Sequence, residues 1–242
     1  MNSDQQADEH IVHIKKAFDF KTGDDYDFLR KGFFKSFFYY FSRAIISVIL
    51  NIYDRLFFGL KIRGSKNIKA VGKSGAVVVC NHVHLLDCTF IDCAIPVKRM
   101  YYTTLESNLG IPIARHLIRW FGGVPIPTSM ENLKTFMTEM DRALKCGHFV
   151  CMYPEGVLYP YFSDLRDFKD GAFKIAARSN VPVLPLVITF RKPRGIYRLY
   201  KKKPCVTLKI LPPVFPAAPR GRKSALEMKD KCYSAMRQAI SN

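Results

Sequence analysis

A short apolar run meets a polar loop in the stretch AVVVCNHVHLLD, residues 76–87. Its first five residues are small or β-branched and uncharged, which favours a buried strand. Asn81, His82 and Asp87 follow where the strand ends, the place at which α/β sheets bind their ligands. An imidazole accepts a proton near neutral pH, and a carboxylate on its other nitrogen fixes the tautomer. We therefore predict a His82–Asp87 pair at the edge of a sheet, with Asp87 as helix N-cap the alternative role.

Strand-like and helix-like runs alternate on both sides of this stretch. The strands are predicted over residues 76–80, 98–103, 123–126, 148–153, 183–190 and 205–211. The helices are predicted over residues 88–94, 109–121, 131–145, 171–178 and 223–240, and Ser129 and Asp170 stand at N-cap positions. The chain has 242 residues, of which 48% are hydrophobic, enough for a sizeable core. The alternation predicts an α/β fold with a mixed, largely buried sheet flanked by helices.

Apolar side chains recur at helical spacing ahead of this region. They are Phe34, Phe37, Phe38, Phe41, Ile45, Val48, Ile49, Ile52 and Leu56. The periodicity alone fits a helix on the protein's own core equally well, but the aromatic content and the flanking basic residues favour a helix in the lipid interface. Arg43 at its centre argues against a full span. We expect an acidic segment over 1–28, an amphipathic membrane-binding helical segment over 29–62 and an α/β domain over 63–242.

Positive charge is concentrated in two parts of the chain. Residues 30–73 carry 10 basic side chains and 1 acidic one, and residues 191–223 carry 11 and none, in a chain of formal net charge +18. Such blocks indicate an anionic partner, either nucleic acid or an anionic membrane. Basic and aromatic residues alternate over 191–203, as in nucleic-acid-binding proteins. The apolar helical run at the other block favours the membrane, and we expect no nucleic-acid partner.

Location can also be predicted from composition. Residues 1–9 lack the basic start and apolar core of a signal peptide. The longest stretch without a charged residue covers 13 positions, 74–86, whereas a transmembrane helix needs about 20. Seven cysteines form no C-x-x-C pair, which favours a reducing compartment. We expect a peripheral or monotopic protein on the cytoplasmic face of the cell membrane.

Further motifs extend the His82 cluster. Pro154-Glu155-Gly156 follows a predicted strand, and the run VPVLPL occupies 181–186. With the N-H-x-x-x-x-D motif at 81–87, their order resembles the phospholipid and glycerol-phosphate acyltransferase family, over about residues 74–190. The resemblance implies that His82 is the general base and Asp87 its orienting partner. It also implies that Asn81, Glu155 and Gly156 bind substrate.

Two positions depart from that family's pattern. Its second motif usually ends in Asp-Arg, where this chain has Pro127-Thr128, and its third continues with Thr-Arg-Ser, where this chain has Val157-Leu158-Tyr159. The missing arginines are associated with the phosphate of the acceptor. Four basic residues near the matching motifs are candidates to replace them, although each also fits a solvated surface charge. They are Arg115, Arg119, Arg166 and Lys169.

The resemblance implies acyl transfer from acyl-CoA or acyl carrier protein to the hydroxyl of a lysophospholipid, without a metal or another cofactor. The expected acceptor is 1-acyl-sn-glycerol-3-phosphate, giving phosphatidic acid, or else a different lysolipid or amino-lipid. Three alternatives stay open. They are a metal hydrolase using His82, His84, Asp87 and Asp92, a cysteine nucleophile at Cys80 or Cys88, and a non-catalytic nucleic-acid binder.

Overall fold

The computed structural model describes residues 19–29, 32–96, 98–217 and 221–241. Over these ranges it contains one sheet with helices around it. The strands are β1 (Lys61–Arg63), β2 (Ala76–Cys80), β3 (Met100–Leu105), β4 (Gly123–Ile126), β5 (Phe149–Met152), β6 (Val183–Arg191) and β7 (Cys205–Ile210). The helices are α1 (Phe33–Phe58), α2 (Lys66–Lys69), α3 (Asp87–Ala94), α4 (Pro112–Trp120), α5 (Met130–Lys145), α6 (Gly171–Ser179), α7 (Tyr197–Tyr200) and α8 (Arg222–Ser241).

The sheet has the strand order β1-β7-β6-β2-β5-β3-β4. Strands β6, β2, β5, β3 and β4 are parallel to one another, and β7 is antiparallel to β6. The carboxyl ends of the five parallel strands therefore lie at one edge, here called the carboxyl edge, and their amino ends at the opposite amino edge. Strand β2 is at the centre, and all five of its residues are fully buried, as expected of a parallel strand covered on both faces.

Apolar residues cover both faces of the sheet. One cluster includes Phe136 of α5, Phe173 of α6 and Met236 of α8. The other includes Phe90 and Ile91 of α3 on the opposite face. This layering confirms the predicted α/β class with a mixed, largely buried sheet.

The predicted boundaries are wrong at a few positions. The predicted strand over 98–103 lies at Met100–Leu105, and the helix expected over 109–121 is a 3₁₀ turn (Glu106–Gly110) followed by α4. The break falls where Ile111, which is extended, precedes Pro112, because proline disfavours a helical conformation of the residue before it.

The two predicted N-caps differ in outcome. Ser129 caps α5, since its Oγ accepts the Asn132 amide at 3.2 Å, which confirms that prediction. The cap predicted at Asp170 is wrong, because its carboxylate pairs with Lys229 of α8 at 2.8 Å instead of with the helix amides. Asp170 thereby links α6 to the C-terminal helix.

Helix α1 packs on α3 with its polar side inward. Arg43 is buried and binds the Asp92 carboxylate at 2.6 Å, and Ser47 donates to the same carboxylate at 2.6 Å. Eight large apolar side chains on the other side are each 50–60% exposed: Phe37, Phe38, Phe41, Ile45, Val48, Ile49, Ile52 and Leu56. The alternative in which this apolar face covers the protein's own core is therefore wrong.

Some of the sequence predictions concern residues beyond these ranges. Residues 1–18, most of the expected acidic segment, and Arg30 and Lys31 at the start of the basic flank lie outside the described residues. Among the residues described, no helix combines the length and the apolar character needed to cross a membrane.

Candidate active site

The His82–Asp87 pair lies at the carboxyl edge, directly after the central strand β2. The His82 Nδ1 and the Asp87 Oδ2 are 2.9 Å apart, and the same oxygen accepts the amides of Val83 at 2.9 Å and His84 at 3.1 Å. Burial raises the pKa of Asp87 above its ordinary value, opposed by the His82 ring and these amides. The loop is thus wound around the carboxylate, and the predicted pair is brought together.

Asp87 is the first residue of α3, and Leu86 is its N-cap residue. The amides that Asp87 binds belong to residues before the helix, so its predicted alternative role as N-cap is wrong. Its carboxylate instead orders the loop that carries His82. A carboxylate that holds Nδ1–H of an imidazole leaves the Nε2 lone pair available to accept a proton.

The Tyr153 ring packs on a face of the His82 ring. The two rings are stacked, with centroids 4.0 Å apart and planes 14° apart. The backbone also fixes the loop, since the Tyr159 amide donates to the His82 carbonyl and the Tyr161 amide to the Val83 carbonyl, each at 2.9 Å. His82 keeps 24% of its side chain exposed. The imidazole is therefore held from several sides while part of it stays accessible to solvent. Tyr153 was missed in the sequence because its contact depends on the pairing of β5 with β2.

Asn81 lies behind this loop. Its Nδ2 donates to the Ile188 carbonyl at 2.9 Å, and its Oδ1 accepts the Ile188 amide at 2.8 Å. The side chain therefore continues the β2–β6 ladder beyond the last strand residue, and it is buried. This arrangement corrects the prediction that Asn81 binds substrate: its amide is committed to positioning the loop.

Glu155 and Gly156 lie on the loop after β5, beside the His82 loop. Glu155 is 2% exposed. Burial raises its pKa from 4.5 to about 7, against the opposing effect of the His82 and Arg166 backbone amides. Gly156 has φ +78°, and a Cβ there would lie 3.0 Å from the Lys169 Nζ. Glycine thus permits Lys169 to approach this loop closely.

Of the four candidate basic residues, Arg166 and Lys169 lie at this loop. The Arg166 guanidinium carbon is 4.4 Å from the centre of the Tyr159 ring, and its charge lowers the pKa of Glu155. The Lys169 amide donates to the Pro154 carbonyl at 2.8 Å, which fixes its backbone to the motif. These two side chains place positive charge at the carboxyl edge.

The other two candidates, Arg115 and Arg119, lie on α4. Helix α4 runs from the carboxyl end of β3 to the amino end of β4, so Arg119 in its last turn lies towards the amino edge. Its guanidinium donates to the Asp27 carbonyl at 2.8 Å and lies 4.6 Å from the Tyr26 ring centre. The Arg115 Nε donates to the neighbouring His116 ring at 3.1 Å. The structure therefore corrects the prediction that Arg119 joins the site, whereas the role expected of Arg115 stays a prediction.

A polar cluster occupies the position where the related family usually has Asp-Arg. The Thr128 amide and hydroxyl donate to Glu106 Oε2 at 3.1 and 2.8 Å, while the Thr22 amide and hydroxyl donate to Oε1 at 2.7 and 2.6 Å. Although burial alone would raise it, these hydrogen bonds hold the pKa of Glu106 below its usual value. Glu106 was missed in the sequence, and its position directly after β3 was the available signal.

The geometry also bears on the alternatives to acyl transfer. His84 packs between Phe58 and Phe90 and accepts the Leu86 amide at 3.1 Å. In the part of the chain that the structure describes, no three His, Cys, Asp or Glu side chains are grouped as metal ligands. The described residues thus provide no set of metal ligands that would support the hydrolase alternative.

The two thiols near His82 are poor nucleophiles. Burial raises the pKa of Cys80 well above its usual value and that of Cys88 to about 12. Because the thiolate is the reactive form of cysteine, these protonated thiols do not support the cysteine-nucleophile alternative.

Comparison with known proteins places this site in a family. A family model described as Acyltransferase matches residues 59–189. The chain belongs to the Acyltransferase family. This confirms the resemblance seen in the sequence. The matched range contains the His82 loop, the Glu155 loop and Lys169, whereas α1 and residues 191–204 lie outside it.

Similar proteins carry related names. Human 1-acyl-sn-glycerol-3-phosphate acyltransferase beta is 27% identical over 190 residues, covering 76% of this chain and 66% of the relative. The putative 1-acyl-sn-glycerol-3-phosphate acyltransferase acl-2 of Caenorhabditis elegans is 27% identical over 172 residues, covering 66% of this chain and 57% of the relative. The chain thus spans between 57% and 66% of the length of these relatives.

A crystal structure shares the fold. It is that of the 1-acyl-sn-glycerophosphate (LPA) acyltransferase PlsC from Thermotoga maritima, with a TM-score of 0.60 and 24% identity over 86% of each chain. At this identity the likeness confirms the acyltransferase fold.

Proposed function

We propose that this chain transfers a fatty acyl group from a thioester, acyl-CoA or acyl carrier protein, to the hydroxyl of a lysophospholipid. The acceptor class we propose is 1-acyl-sn-glycerol-3-phosphate, which gives phosphatidic acid. The observation that carries the proposal is the 2.9 Å contact between His82 Nδ1 and the buried Asp87 carboxylate at the carboxyl edge. The names of the relatives support the choice of acceptor.

His82 acts as the general base in this proposal. Its Nε2 takes the proton of the acceptor hydroxyl while Asp87 stabilises the imidazolium that forms. The hydroxyl oxygen bonds to the thioester carbonyl carbon, the carbon–sulfur bond breaks, and the leaving thiolate receives the proton from His82. The stacked Tyr153 ring holds the imidazole in one orientation, so little reorganisation is needed during the reaction.

Lys169 and Arg166 are the proposed contacts for the acceptor phosphate. Both lie at the Glu155–Gly156 loop beside His82, where cationic side chains suit a phosphate monoester. The cluster of Glu106 and Thr128, by contrast, puts a carboxylate where the family usually has arginine. The acceptor phosphate would therefore bind on the Lys169 side of the site.

The exposed apolar face of α1 is proposed to bind the membrane from which the acceptor comes. Its eight large apolar side chains are 50–60% exposed, and burial in lipid removes this area from water. Residues 29–62 would then be the membrane-associating segment before the α/β domain of 63–242. We propose a peripheral position on the cytoplasmic face of the membrane.

Purified protein tests the reaction directly. Labelled acyl-CoA or labelled acylated acyl carrier protein is incubated with a panel of lysolipids, some of which carry a phosphate monoester and some of which do not. The products are identified by mass. His82→Gln and Asp87→Asn should each lower kcat by about 10² to 10⁴, whereas the matched control His116→Gln on the exposed side of α4 should not. Full transfer by His82→Gln would refute the assignment. Lys169→Gln should raise KM for phosphate-monoester acceptors only.

A further inference from the structure

The connection between β6 and β7 is much longer than their pairing requires. The two strands are antiparallel neighbours, and such strands are commonly joined by two to five residues. Here residues 192–204 intervene and include α7. The connection contains no acidic residue. Its exposed basic side chains are Lys192, Arg194, Arg198, Lys202 and Lys203. The additional length therefore adds a charged surface element to the fold.

This connection also presents apolar side chains to solvent. Leu199 is 84% exposed and Ile196 68%, the first being the most exposed of the large apolar side chains in the described part of the protein. Both are far more exposed than residues of their type usually are. These two residues, here called the tip, are flanked along the chain by the five exposed cations, here called the basic ring.

The connection is fastened to the end of α1. The hydroxyl of Tyr197 donates to the Arg55 carbonyl at 2.8 Å, and that of Tyr200 donates to the Leu56 carbonyl at 2.6 Å. The Lys201 ammonium donates to the Phe57 carbonyl. The last carbonyls of a helix have no partner within the helix, and a cation is favourable at that end. The connection therefore caps α1, and the two elements form one unit.

The capping contacts place α7 beside the apolar end of α1. Ile52, Leu56 and Phe57 are 54–56% exposed in the last turns of α1. Because Tyr197 and Tyr200 bind the Arg55 and Leu56 carbonyls, α7 lies next to these exposed side chains.

The same connection borders the active site. The Lys203 Nζ is 5.6 Å from the centre of the Tyr161 ring, and the Lys201 Nζ is 5.7 Å from that of Phe58. Both rings contact His84, two residues from the proposed base. A partner that binds the connection is therefore held next to the carboxyl edge.

We propose that residues 192–204 form a second membrane contact, whose tip enters the interface of an anionic bilayer while its basic ring binds lipid headgroups. The inference deepens the proposed function and rests on the membrane-facing role of α1. An anionic bilayer fits because it combines negative charge with an apolar layer, which matches a cationic ring around Leu199 and Ile196. A nucleic acid would leave that apolar tip without a partner. The contact would hold the acceptor entrance against the lipid surface.

Site-specific fluorescence tests the insertion. A bimane label on Leu199→Cys, in a Cys146→Ser background, is compared with the same label on Leu226→Cys of α8. With vesicles of phosphatidylcholine and phosphatidylglycerol, the label at 199 should shift to the blue and be quenched by brominated acyl chains, and the label at 226 should not. Equal responses at both positions, or no quenching at 199, would overturn the proposal.

Charge variants test the headgroup contact. Arg198→Gln with Lys202→Gln is compared with Lys223→Gln and Lys231→Gln, which remove the same charge from α8. The first pair should weaken vesicle partitioning about fivefold per side chain, or on the order of 25-fold together, and the control pair much less. Equal losses would show that only net charge matters and would refute the contact.

Two further measurements separate the possible failures. Transfer to a monomeric lysolipid in detergent tests the proposed reaction without a bilayer, so failure there concerns the function and not the connection. Binding of the unmodified protein to duplex DNA and to acidic acyl carrier protein is measured at the salt used for vesicles. If the protein binds DNA or acyl carrier protein more tightly than anionic vesicles, and the Arg198→Gln, Lys202→Gln variant loses that binding, the proposal that the partner is a membrane is refuted.

Discussion

Replacing Glu155 with glutamine should stabilise the folded protein at about pH 8 and have little effect at about pH 4.5. Glu155 is buried beside the His82 loop, and burial raises its pKa from 4.5 to about 7. Above that pKa the folded protein has to hold a buried negative charge, whereas the unfolded chain exposes the same carboxylate to water. Glutamine keeps the shape and removes the charge.

The size of this effect follows from the pKa difference. Between the two values the folded state holds the Glu155 proton and the unfolded state does not, so the free energy of unfolding falls as pH rises through that window. Above about pH 7 the free energy of unfolding has fallen by its full amount, about 3 kcal/mol, which corresponds to the rise of the Glu155 pKa from 4.5 to about 7. Below pH 4.5 both states are protonated and the loss vanishes.

Urea unfolding at the two pH values measures this difference. Glu155→Gln should raise the free energy of unfolding by about 3 kcal/mol at pH 8, or Tm by roughly 6–12 °C. The exposed substitution Glu131→Gln is the matched control, and its effect should be small at both pH values. A Glu155→Gln variant that is less stable at pH 8 than at pH 4.5, relative to the parent protein, would refute the reasoning, because it would mean that the charged carboxylate is stabilised in the fold.

Two other buried carboxylates give predictions of opposite sign. Asp92→Ala should lower the free energy of unfolding in urea by about 3–5 kcal/mol, because Arg43 is left buried without its carboxylate; an Asp92→Ala variant as stable as the parent would contradict this. Glu106→Gln should lower the free energy of unfolding by about 1–3 kcal/mol above pH 4.5, since four hydrogen bonds to the carboxylate weaken. The difference in stability between parent and Glu106→Gln should disappear as pH falls through the depressed pKa of Glu106. If thermal unfolding shows the same difference at every pH, the charge of Glu106 is not its cause.

The central strand and the His82–Asp87 pair could be predicted because their information is local. Five uncharged residues at 76–80 indicate a strand covered on both faces, and a carboxylate five residues after His82 can fold back onto it. The ligand-binding edge of an α/β sheet then follows from strand direction alone. The structure agrees, with 2.9 Å between Nδ1 and Oδ2.

The parts that could not be predicted depend on which face or edge a residue occupies. Arg119 is close in sequence to a family motif, but a helix that connects two parallel strands begins at one edge of the sheet and ends at the other. Asn81 looks like a ligand in the motif, yet its amide completes a ladder with Ile188, 107 residues later. Periodicity likewise divides α1 into two faces without stating which one packs inward.

The inverted orientation of α1 is hard to explain by stability in water. Its inward contacts combine the buried Arg43–Asp92 pair with the apolar side chains of Leu50 and Phe58, and a buried ion pair contributes little net stability compared with apolar packing. Its outward face leaves eight large apolar side chains half exposed, an area that lipid would cover. The carbonyls at the end of this helix are capped by the connection beside Tyr161 and His84. Under the proposed membrane binding of α1, these hydrogen bonds would link the lipid contact to the loop beside the proposed base.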